Sequence, residues 1–586
     1  MSQMILPGTY IDVLSEGLIA PGQVTVGNVG VVGTASKGQI NTPVLLSSYN
    51  DALAIFGSYD AIVKKDEVPP KQPPTLNAKA LTLTRALELV FSFGATTVYA
   101  MRVASPKDVI PVVDIDAKKT AGWATVTLAA ADGTWTTLLA ASPGAWGNNI
   151  NCTIKSSPEA VRTYQETLNV PQDGGSLTDF KLTYAAKKDS PRNRVLVRSV
   201  AGGINPVVVG PRPNPDDKKM HVAIDGQALK FDAALTAGDK IDATYAVDGL
   251  FELTLTAGQS VETYLVQNAK MLAADISNPD STSSLVTIVT GDKSAEPPKE
   301  VKVTFTGGAN GEDFSLYDDA QTYEPLLDVD AHIIVAAGQD DKQAGAGLDQ
   351  HCQKASTDEF KRDRIAVVGS SRATGTPADR TGFINTLVGN TLASDRVIFI
   401  APGIVATSSA PDDLKFNPIT LPGAYAAAAI AGKLAATAPH ISLTNKPVAV
   451  IGLEVTFKNA QLEELVQNRV TALELNEGFR VLRGQTTDTG AFREITTRRI
   501  VDYAKYGVRS ASAPFIGLLN NDRVRSALRA SINSFLQSML DGEMLVGYGI
   551  EVTATREQQI RGIVQVTITL QPVFSINFIQ VTMILS

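Results

Sequence analysis

The 586-residue sequence predicts a multidomain protein that combines α/β and β domains. Short, nearly continuous apolar runs that end in glycine or a turn alternate with helical stretches. This pattern is typical of a mainly parallel sheet covered on both faces. The runs fall into two groups, and between them lie Thr- and Val-rich segments separated by turn residues, which indicate inserted β-rich modules. The carboxyl end adds two helices and alternating strands, an α+β pattern.

The composition is ordinary for a globular protein, with 44% hydrophobic and 19% charged residues. The formal net charge of −8 argues against a protein whose main partner is nucleic acid. Two cysteines, Cys152 and Cys352, are too few for a disulfide framework or a zinc site. Together with the lack of a signal-peptide pattern, they favour a reducing compartment. No apolar run reaches the ~18 residues of a transmembrane helix, so we expect no membrane insertion.

The amino-terminal residues are predicted to form an extended arm over 1–25, followed by the first part of an α/β core over 26–105. Prolines disfavour helix in the arm, and a short run of β-prone residues favours a strand there. That strand is expected over Tyr10, Ile11, Asp12, Val13 and Leu14. The core segment contains a buried, glycine-containing strand, a helix that begins near Ser48, and a helix over 78–93 before a last strand.

Three further regions complete the predicted organisation. Residues 106–299 are predicted to be one or two inserted β-rich modules, with a boundary near 205–220, where prolines and charged residues cluster. Residues 300–485 return to the α/β pattern, and residues 486–586 form the α+β domain, which ends in an extended strand arm. The parallel strands of the central region are predicted at AHIIVAAG, RIAVVGS, RVIFIAPG and PVAVIGLEV.

No motif in the sequence predicts catalysis, a cofactor or a metal. The glycine-rich TFTGGANGED lacks the Lys-Ser/Thr of a phosphate-binding loop, so a tight turn explains it better than a nucleotide site. VVGSSRATG places serines after a strand but lacks the Gly-x-Ser-x-Gly pattern. Asp330 and His332 point the same way at a strand start, yet a hydrolase also needs a placed nucleophile. We therefore expect no enzymatic activity, with a hydrolase on the parallel sheet as the weaker alternative.

A basic stretch lies near the carboxyl end of this acidic chain. Residues 493–529 contain eight Lys and Arg residues against three Asp and Glu residues. A helix predicted to begin at Asn521 carries an apolar stripe, and Arg523, Arg525 and Arg529 lie on the same helix. Like charges four residues apart repel each other, so such a pair usually marks a solvated face. The alternative is a docking surface for an acidic partner.

The last 25 residues, Gly562–Ser586, carry no charged side chain. Phe574, Ile576 and Phe578 alternate with polar residues, as in a strand with one buried face. From Ile579 the alternation slips by one residue, which turns the apolar side chains to the opposite face. The segment is therefore either an interior strand of the chain's own sheet or an uncharged edge that needs a partner chain.

Several segments resemble the contractile tail sheath proteins of tailed bacteriophages. At the amino end these are LPGTYIDVLSEG and VGVVGTASKGQINTPVLLSSYNDALAIFG, and within the insertion ASPGAWGNNINCTI. VTFTGGANGED followed by YEPLLDVDAHIIVAAG resembles the start of the family's central domain. The last domain, from TTRRIVDYAKYGVRSA to GEMLVGYGIEVTATREQQIRGIVQVTITLQPVFSINFIQVTMI, resembles the family almost end to end. The order and spacing of these segments carry the resemblance, whereas the β-rich residues 155–300 match nothing in it.

The resemblance implies a structural subunit that surrounds an inner tail tube. Six subunits are expected to form each ring, and the rings to stack from baseplate to neck with the inserted modules facing outward. Contraction would then drive the tube through the host envelope for genome ejection. The implied partners are further copies of the chain, the tube protein, and the baseplate and neck or tail terminator proteins. The implied location is a virion tail assembled in the bacterial cytoplasm. The sheaths of R-type bacteriocins and type VI secretion systems are the alternatives within this class.

The resemblance also implies that neighbouring subunits exchange terminal strands, because an unpaired strand edge is a template for another chain. The arm over Tyr10–Leu14 would be one such joint. The second donor is expected after Phe578, where the apolar face inverts: Ile579, Gln580, Val581, Thr582, Met583 and Ile584. Gln565, Thr567 and Thr569, which alternate with apolar residues, predict the host strand. The candidate contacts to the tube are Arg523, Arg525 and Arg529.

Overall fold

The computed structural model describes residues 27–60, 80–110, 120–130, 133–172, 178–211, 216–290, 300–311, 314–375, 379–410 and 418–583. The predicted strand Tyr10–Leu14 and the predicted donor residue Ile584 lie outside the described residues. The chain divides into two units. The first, here called the α/β unit, comprises the described residues of Met1–Ala35, Ile40–Ser105 and Glu312–Ser586. The second, the β unit, comprises those of Ser36–Gln39 and Pro106–Gly311.

The first segment of the α/β unit carries three strands and two helices. They are β1 (Val29–Gly33), β2 (Val44–Leu46), α1 (Tyr49–Phe56), α2 (Leu83–Ser92) and β3 (Val98–Arg102). The predicted start of α1 is confirmed, because the Ser48 side chain accepts a hydrogen bond from the Asp51 N–H. This bond satisfies one of the free amides of the first turn. Every residue of β1 is buried, as its apolar, glycine-containing sequence predicts.

The β unit consists mainly of strands, as the sequence of residues 106–299 predicts. In chain order its elements are β4 (Thr125–Ala130), β5 (Gly133–Ala140), β6 (Asn151–Ser156), β7 (Thr163–Asn169), β8 (Asp179–Ala186), β9 (Arg194–Arg198), β10 (Ile204–Val209), β11 (His221–Phe231), β12 (Lys240–Ala246), β13 (Phe251–Ala257), β14 (Ser260–Val266), α3 (Ala269–Ile276), β15 (Val286–Thr290) and β16 (Glu300–Thr304). They form a six-stranded sheet in the order β7-β12-β9-β10-β11-β8, a four-stranded sheet β14-β13-β6-β16, and a three-stranded sheet β15-β5-β4. One apolar core lies among these strands.

The boundary predicted near residues 205–220 is wrong. β10 and β11 flank that stretch and lie side by side in the six-stranded sheet, where Val208 pairs with His221 and Val209 with Val222. The prolines and charged residues therefore lie between neighbouring strands of one sheet. The whole stretch from Pro106 to Gly311 belongs to one unit.

The remainder of the α/β unit alternates strands and helices before it ends in an α+β domain. Its elements are β17 (Ile333–Ala336), α4 (Asp341–Ala355), β18 (Ile365–Gly369), α5 (Thr381–Val388), β19 (Val397–Ala401), β20 (Ile404–Ala406), β21 (Ile419–Leu421), α6 (Gly423–Ala435), β22 (Gly452–Leu453), α7 (Asn459–Gln467), β23 (Thr471–Leu475), β24 (Phe479–Val481), α8 (Ile495–Ser512), α9 (Asp522–Asp541), β25 (Leu545–Thr553), α10 (Arg556–Ile560) and β26 (Gln565–Pro572).

The central sheet of the α/β unit has eight strands in the order β2-β3-β1-β17-β18-β19-β23-β24. The inner pairs are parallel, whereas β2 and β24 run antiparallel to their neighbours at the two edges. β1 lies between β3 and β17, so Val29 pairs with Val98 on one side and with Ile333 on the other. Segments before and after the β unit thus build one sheet. Apolar clusters cover both of its faces, as continuous apolar strands predict.

One of the predicted parallel strands is wrong. PVAVIGLEV contributes only the short strand β22, which pairs with β20 in a small separate sheet. The parallel neighbour of β19 is instead β23. Pro447 forms an isolated bridge with Arg480 of β24, and the Val448 N–H donates to the Phe479 carbonyl. The start of the apolar run therefore covers the edge of the sheet, a position where proline is tolerated because no ladder donor is needed from it.

The small-residue helix α6 packs closely against its neighbours. At Gly432 an added Cβ would lie 2.3 Å from the Val90 carbonyl oxygen of α2, so only glycine allows this approach. At Gly423 an added Cβ would lie 2.3 Å from the Ser370 Oγ. The start of α6 therefore covers the carboxyl end of β18.

Candidate functional site in the carboxyl-terminal domain

α8 and α9 pack against each other and support the hairpin of β25 and β26. The buried stripe of α9 consists of Leu528, Ile532, Phe535 and Met539, joined by Leu536. The predicted start of α9 is confirmed, because the Asn521 Oδ1 accepts a hydrogen bond of 2.9 Å from the Val524 N–H. Gly507 of α8 allows the two helices to approach closely, since a Cβ there would lie 1.8 Å from the Phe535 ring. This packing makes the helix pair a rigid base for the hairpin.

Within the described part of the chain, the hairpin has one packed face and two outer edges without a strand partner. β25 and β26 pair antiparallel along their length and form a two-stranded sheet within the described part of the chain. The apolar side of β26 packs partly on the α8–α9 cluster, whereas Gln565, Thr567 and Thr569 are exposed. The strand predicted over these residues is therefore present, and its role as host for another chain stays a prediction. Its second edge leaves backbone N–H and C=O groups available to another strand.

The residues that follow β26, Val573–Met583, are here called the carboxyl-terminal arm. The arm contains no strand, and its six large apolar side chains from Phe574 to Met583 are between 68% and 89% exposed. Ser575 and Asn577 are half-buried. The predicted alternation is present, but the polar side chains face inward and the apolar ones face solvent. The alternative of an interior strand in the chain's own sheet is wrong.

The arm contacts the rest of the α/β unit at Asn577. The Asn577 Nδ2 donates to the Glu494 Oε1 at 3.4 Å, and the Arg483 Nη2 donates to the same oxygen at 2.5 Å. The Arg483 guanidinium also lies 6.0 Å from the centre of the Phe578 ring. Glu494 directly precedes α8. The start of α8 thus fixes the point at which the arm leaves the protein surface.

A buried cluster of charged side chains joins α8 to the central sheet. The Asp363 carboxylate, just before β18, is fully buried and accepts hydrogen bonds from three cations. The Arg396 Nη2 lies 3.2 Å from its Oδ1, the Arg509 Nη1 lies 2.5 Å from its Oδ2, and the Lys505 Nζ bonds the same Oδ1. Lys505 and Arg509 lie four residues apart on one face of α8, so two successive turns of the helix each form an ion pair with this carboxylate.

The cluster continues around Asp502 of α8. The Asp502 carboxylate accepts hydrogen bonds from the Arg396 Nη1 at 3.1 Å and from the Arg498 Nη2 at 2.5 Å. Arg498 reaches on to Asp395, with its Nη1 2.9 Å from the Oδ2. Arg396, at the start of β19, therefore bridges both buried carboxylates. A buried ion pair is costly to break, because removing one partner leaves the other charge unpaired in a poorly solvated site.

The two carboxylates have opposite pKa shifts. Burial raises the pKa of Asp363, but its bonds to Lys505 and Arg509 lower it by more, so the value lies below the ordinary range. Burial raises the pKa of Asp502, and Arg396 and Arg498 offset only part of this rise. Nearby, burial lowers the pKa of Arg499 to about 10. Its guanidinium donates to carbonyls after and at the end of α6, among them that of Leu434 at 3.0 Å.

The prediction that the whole basic stretch 493–529 forms a solvated face or a docking surface needs correction. At least six of its eight basic side chains serve contacts within the α/β unit: Arg493, Arg498, Arg499, Lys505, Arg509 and Arg525. Some partners are near in the sequence, such as Asp502 for Arg498, but others, such as Asp363 for Lys505 and Arg509, are far away, and the local charge pattern cannot reveal these. The regular spacing of 498, 502, 505 and 509 along one helix face was the available indication.

The three candidate contacts to a tube differ in their surroundings. Arg523 and Arg529 have exposed side chains. The Arg525 side chain is only 12% exposed and pairs with Asp522, while its Nη1 donates to the Asn520 Oδ1 at 2.7 Å. Arg525 therefore helps to fix the loop before α9. Arg529 is the best placed of the three for a contact with another molecule.

The residues weighed for hydrolase chemistry do not come together. His332 precedes β17, and Ser370 follows β18. Because these neighbouring strands are parallel, the two residues lie at opposite ends of the strands. The two ends of a five-residue strand are roughly 15 Å apart. Ser370 is also 1% exposed, beneath the start of α6. Asp330 does lie near His332, with its Oδ1 3.6 Å from the Nε2, but without the serine the pair makes no triad.

Residues 305–311, the described part of the glycine-rich TFTGGANGED after β16, form a turn that packs on a second turn of the β unit. The Gly308 N–H donates to the Asn148 Oδ1, and the Asn148 Nδ2 donates to the Gly308 carbonyl, both at 2.9 Å. Asn310 in turn accepts a bond of 2.8 Å from the Ala145 N–H. Gly307 has a positive φ of 91°, which favours glycine. The loop thus serves turn packing, as the sequence indicates, rather than phosphate binding.

Metal-ligand clusters and membrane-spanning helices are both absent from the described residues. No group of three or more His, Cys, Asp and Glu side chains in that part of the chain could hold a metal ion. None of its helices is both long and apolar enough to cross a membrane.

The last hundred residues match a known family. Residues 487–586, which include α8, α9, the hairpin and the arm, match the model of the phage tail sheath C-terminal domain. The matched residues are one domain of the chain. The resemblance to sheath proteins inferred from the sequence is confirmed, and the hairpin and the exposed arm both lie within the matched residues. A search of curated proteins found no match.

Solved structures extend the similarity in fold beyond the sheath domain. A sheath tail protein from Desulfitobacterium hafniense is 14% identical and aligns over 97% of both chains with a TM-score of 0.54. A sheath tail protein from Listeria innocua is 13% identical and aligns over 95% of this chain and 94% of its own, also with a TM-score of 0.54. At such identities the comparison concerns the fold alone. The predicted mixture of α/β and β domains with several sheets is the fold of these proteins.

Proposed function

We propose that the chain is a structural subunit of a contractile sheath, in a phage tail or a related contractile injection system, and that it has no catalytic role. One observation carries the proposal: among the described residues, an exposed apolar arm follows a two-stranded hairpin whose outer edges have no strand partner, and both lie in a domain that matches the sheath family. Exposed apolar strands endanger a monomer because they aggregate. In a polymer of identical subunits they serve as joints.

In this proposal the arm of one subunit adds a strand to the hairpin of the next. The donor residues are Ile579–Ile584, and the acceptor is the free edge of β26. Backbone hydrogen bonds supply the affinity, and the apolar side chains that face solvent in the single subunit become buried between subunits. The amino-terminal segment Tyr10–Leu14 makes a second joint of the same kind.

The assembled sheath would be a stack of six-subunit rings around a tube, from the baseplate to the neck. The extended lattice is a metastable state held by contacts to the tube and baseplate, and contraction increases the area buried between subunits. The bias between the two lattices comes from these differential contacts, so no nucleotide is needed. The sheath would be assembled in the bacterial cytoplasm and become part of the virion tail, where contraction drives the tube through the host envelope.

Negative-stain electron microscopy of the purified full chain tests the proposal. Striated hollow cylinders, formed alone or on added tubes, are the expected result. Compact monomers at every concentration, combined with hydrolytic turnover of esters or peptides, would instead support the hydrolase alternative.

Arg529→Glu should weaken the hold of the sheath on its tube. Exposed ion pairs contribute only about 0–1 kcal/mol each, but every subunit of the lattice repeats the contact. We expect fewer extended sheaths on tubes and more tube-free contracted cylinders, counted in micrographs at low salt, with a smaller difference at high salt.

Lys446→Glu is the matched control for this prediction, because it reverses an exposed charge elsewhere in the α/β unit. Equal numbers of extended sheaths for Arg529→Glu and the unmodified protein, at both salt concentrations, would remove Arg529 from the tube contact.

Excision of the six-stranded sheet of the β unit should leave assembly intact if that sheet faces outward. β6 and β13 are antiparallel neighbours, and the Ser157 N–H donates to the Leu250 carbonyl at 2.9 Å. Residues 158–249 can therefore be replaced by an Asn-Gly turn that closes a hairpin. We expect cylinders of smaller outer diameter that still contract. A folded monomer that fails to assemble would place the sheet within the lattice.

A further inference from the structure

A groove lies beside the carboxyl-terminal arm on the α/β unit. It has a volume of about 520 Å³, within the range of small-molecule and side-chain binding pockets. α7 and the end of the sheet at β23 and β24 form its floor, and the arm supplies the rim. The lining includes Leu462, Val466, Leu482, Arg483, Asn577 and Phe578.

The groove has an apolar floor with charged ends. Leu462 is nearly buried, and Val466 and Leu482 are half-buried, so their side chains present apolar surface to the groove. Arg483 and Arg493 lie at its polar end, where Arg483 is neutralised by Glu494. Glu463 and Glu474 line the groove as well. The apolar part of the surface, between these charged side chains, matches an uncharged segment with apolar side chains.

The arm is the segment that reaches it. Asn577 is tied to Glu494 at the rim, and Phe578 lines the groove while 84% of its surface is exposed. Ile579 and Val581 follow at once and carry no charge. Phe578 is thus the first apolar side chain of the arm after this anchor and lines the groove, whereas Phe574 precedes the anchor and does not line it.

We propose that, before assembly, this groove holds Phe578 and the apolar residues that follow it in the same chain, so that the donor strand is stored until a neighbouring subunit takes it. The inference rests on the donor role of the arm proposed above. Storage would shield an uncharged apolar strand that otherwise invites aggregation. In the groove the arm makes side-chain contacts only. The strand edge of a neighbouring subunit adds a ladder of backbone hydrogen bonds, so the arm leaves the groove and binds that edge.

Iodide quenching of an introduced tryptophan tests this storage. Phe578→Trp in the full chain, at a concentration where it is monomeric, should give an indole at least threefold less accessible to iodide than Phe574→Trp on the same arm. The unmodified chain supplies the background from its own three tryptophans. Adding Val466→Asp to the Phe578→Trp chain should raise the quenching constant to that of Phe574→Trp, because a carboxylate on the floor repels the apolar arm.

Asn577→Ala provides a second route, because it removes the anchor to Glu494 and leaves α7 and the end of the sheet unchanged, and it should raise the quenching constant in the same way. Equal constants for Phe578→Trp and Phe574→Trp would overturn the proposal. Protection that grows with protein concentration would also overturn it, because the occupant would then be a second copy. Cylinder formation by the unmodified chain is scored separately, so the storage can fail while the donor role stands.

Discussion

Removal of Ile579–Ser586 should yield a folded monomer that no longer forms cylinders. The deletion takes away the exposed end of the arm and leaves the β25–β26 pairing and the α8–α9 cluster in place. The free energy of unfolding should change by no more than about 0.5 kcal/mol, because the described side chains that are lost, those of Ile579–Met583, are exposed. Sedimentation velocity and negative-stain microscopy measure the loss of polymer, and circular dichroism confirms the fold.

A pair of substitutions at Val581 separates the backbone from the side chain. Val581→Pro removes one N–H and so breaks a strand ladder, whereas Val581→Thr keeps both the ladder and the preference for strand. We expect the proline variant to resemble the deletion and the threonine variant to assemble. Normal cylinders from the deleted chain would show that the arm is not the donor strand.

Asp363→Asn should destabilise the docking of α8 on the central sheet by roughly 3–5 kcal/mol, the usual cost of breaking a buried ion pair. The neutral amide leaves Arg396, Lys505 and Arg509 without their shared carboxylate. Hydrogen exchange measured by mass spectrometry should show faster exchange along α8, and the thermal midpoint of the α/β unit should fall.

Asp358→Asn is the matched control, because this exposed aspartate precedes the same strand. It should leave both the exchange along α8 and the thermal midpoint close to those of the unmodified protein. If the two variants behave alike, the buried cluster does not hold α8 in place.

The same carboxylate predicts how stability depends on pH. The folded pKa of Asp363 lies below its ordinary value of 3.8, so its contribution is complete above about pH 4 and is lost as the pH falls through the folded pKa. The raised pKa of Asp502 acts in the opposite sense, since its charged form is disfavoured by folding. We therefore expect Asp363→Asn to flatten the acid side of the stability curve.

The central sheet was largely predictable because strands buried on both faces need apolar runs whatever their neighbours are. The exception shows the limit. PVAVIGLEV is more apolar than TALEL, yet TALEL forms β23 and PVAVIGLEV lies mostly outside the sheet. Composition reports burial, but it cannot distinguish a strand inside the sheet from a segment that covers its edge.

The candidate site was predictable only where it depends on local sequence. The α9 cap and its buried stripe follow from residues a few positions apart, and so does the alternation along the arm. The Asp363 cluster was missed because its partners lie as many as 146 positions away. Which face of the arm is covered could not be predicted either, because in the subunit the polar face packs inward and the apolar face has no cover.

The position of β1 at the centre of the sheet has a consequence for biosynthesis. Val29 needs Val98 on one side and Ile333 on the other. The second partner leaves the ribosome about 300 residues later, which at ~5–20 residues per second takes roughly 15–60 s. During that time the β unit is completed while one edge of β1 stays open. Nascent chains stalled before Ile333 should therefore be the species that chaperones bind and that proteases cleave at the amino-terminal segment.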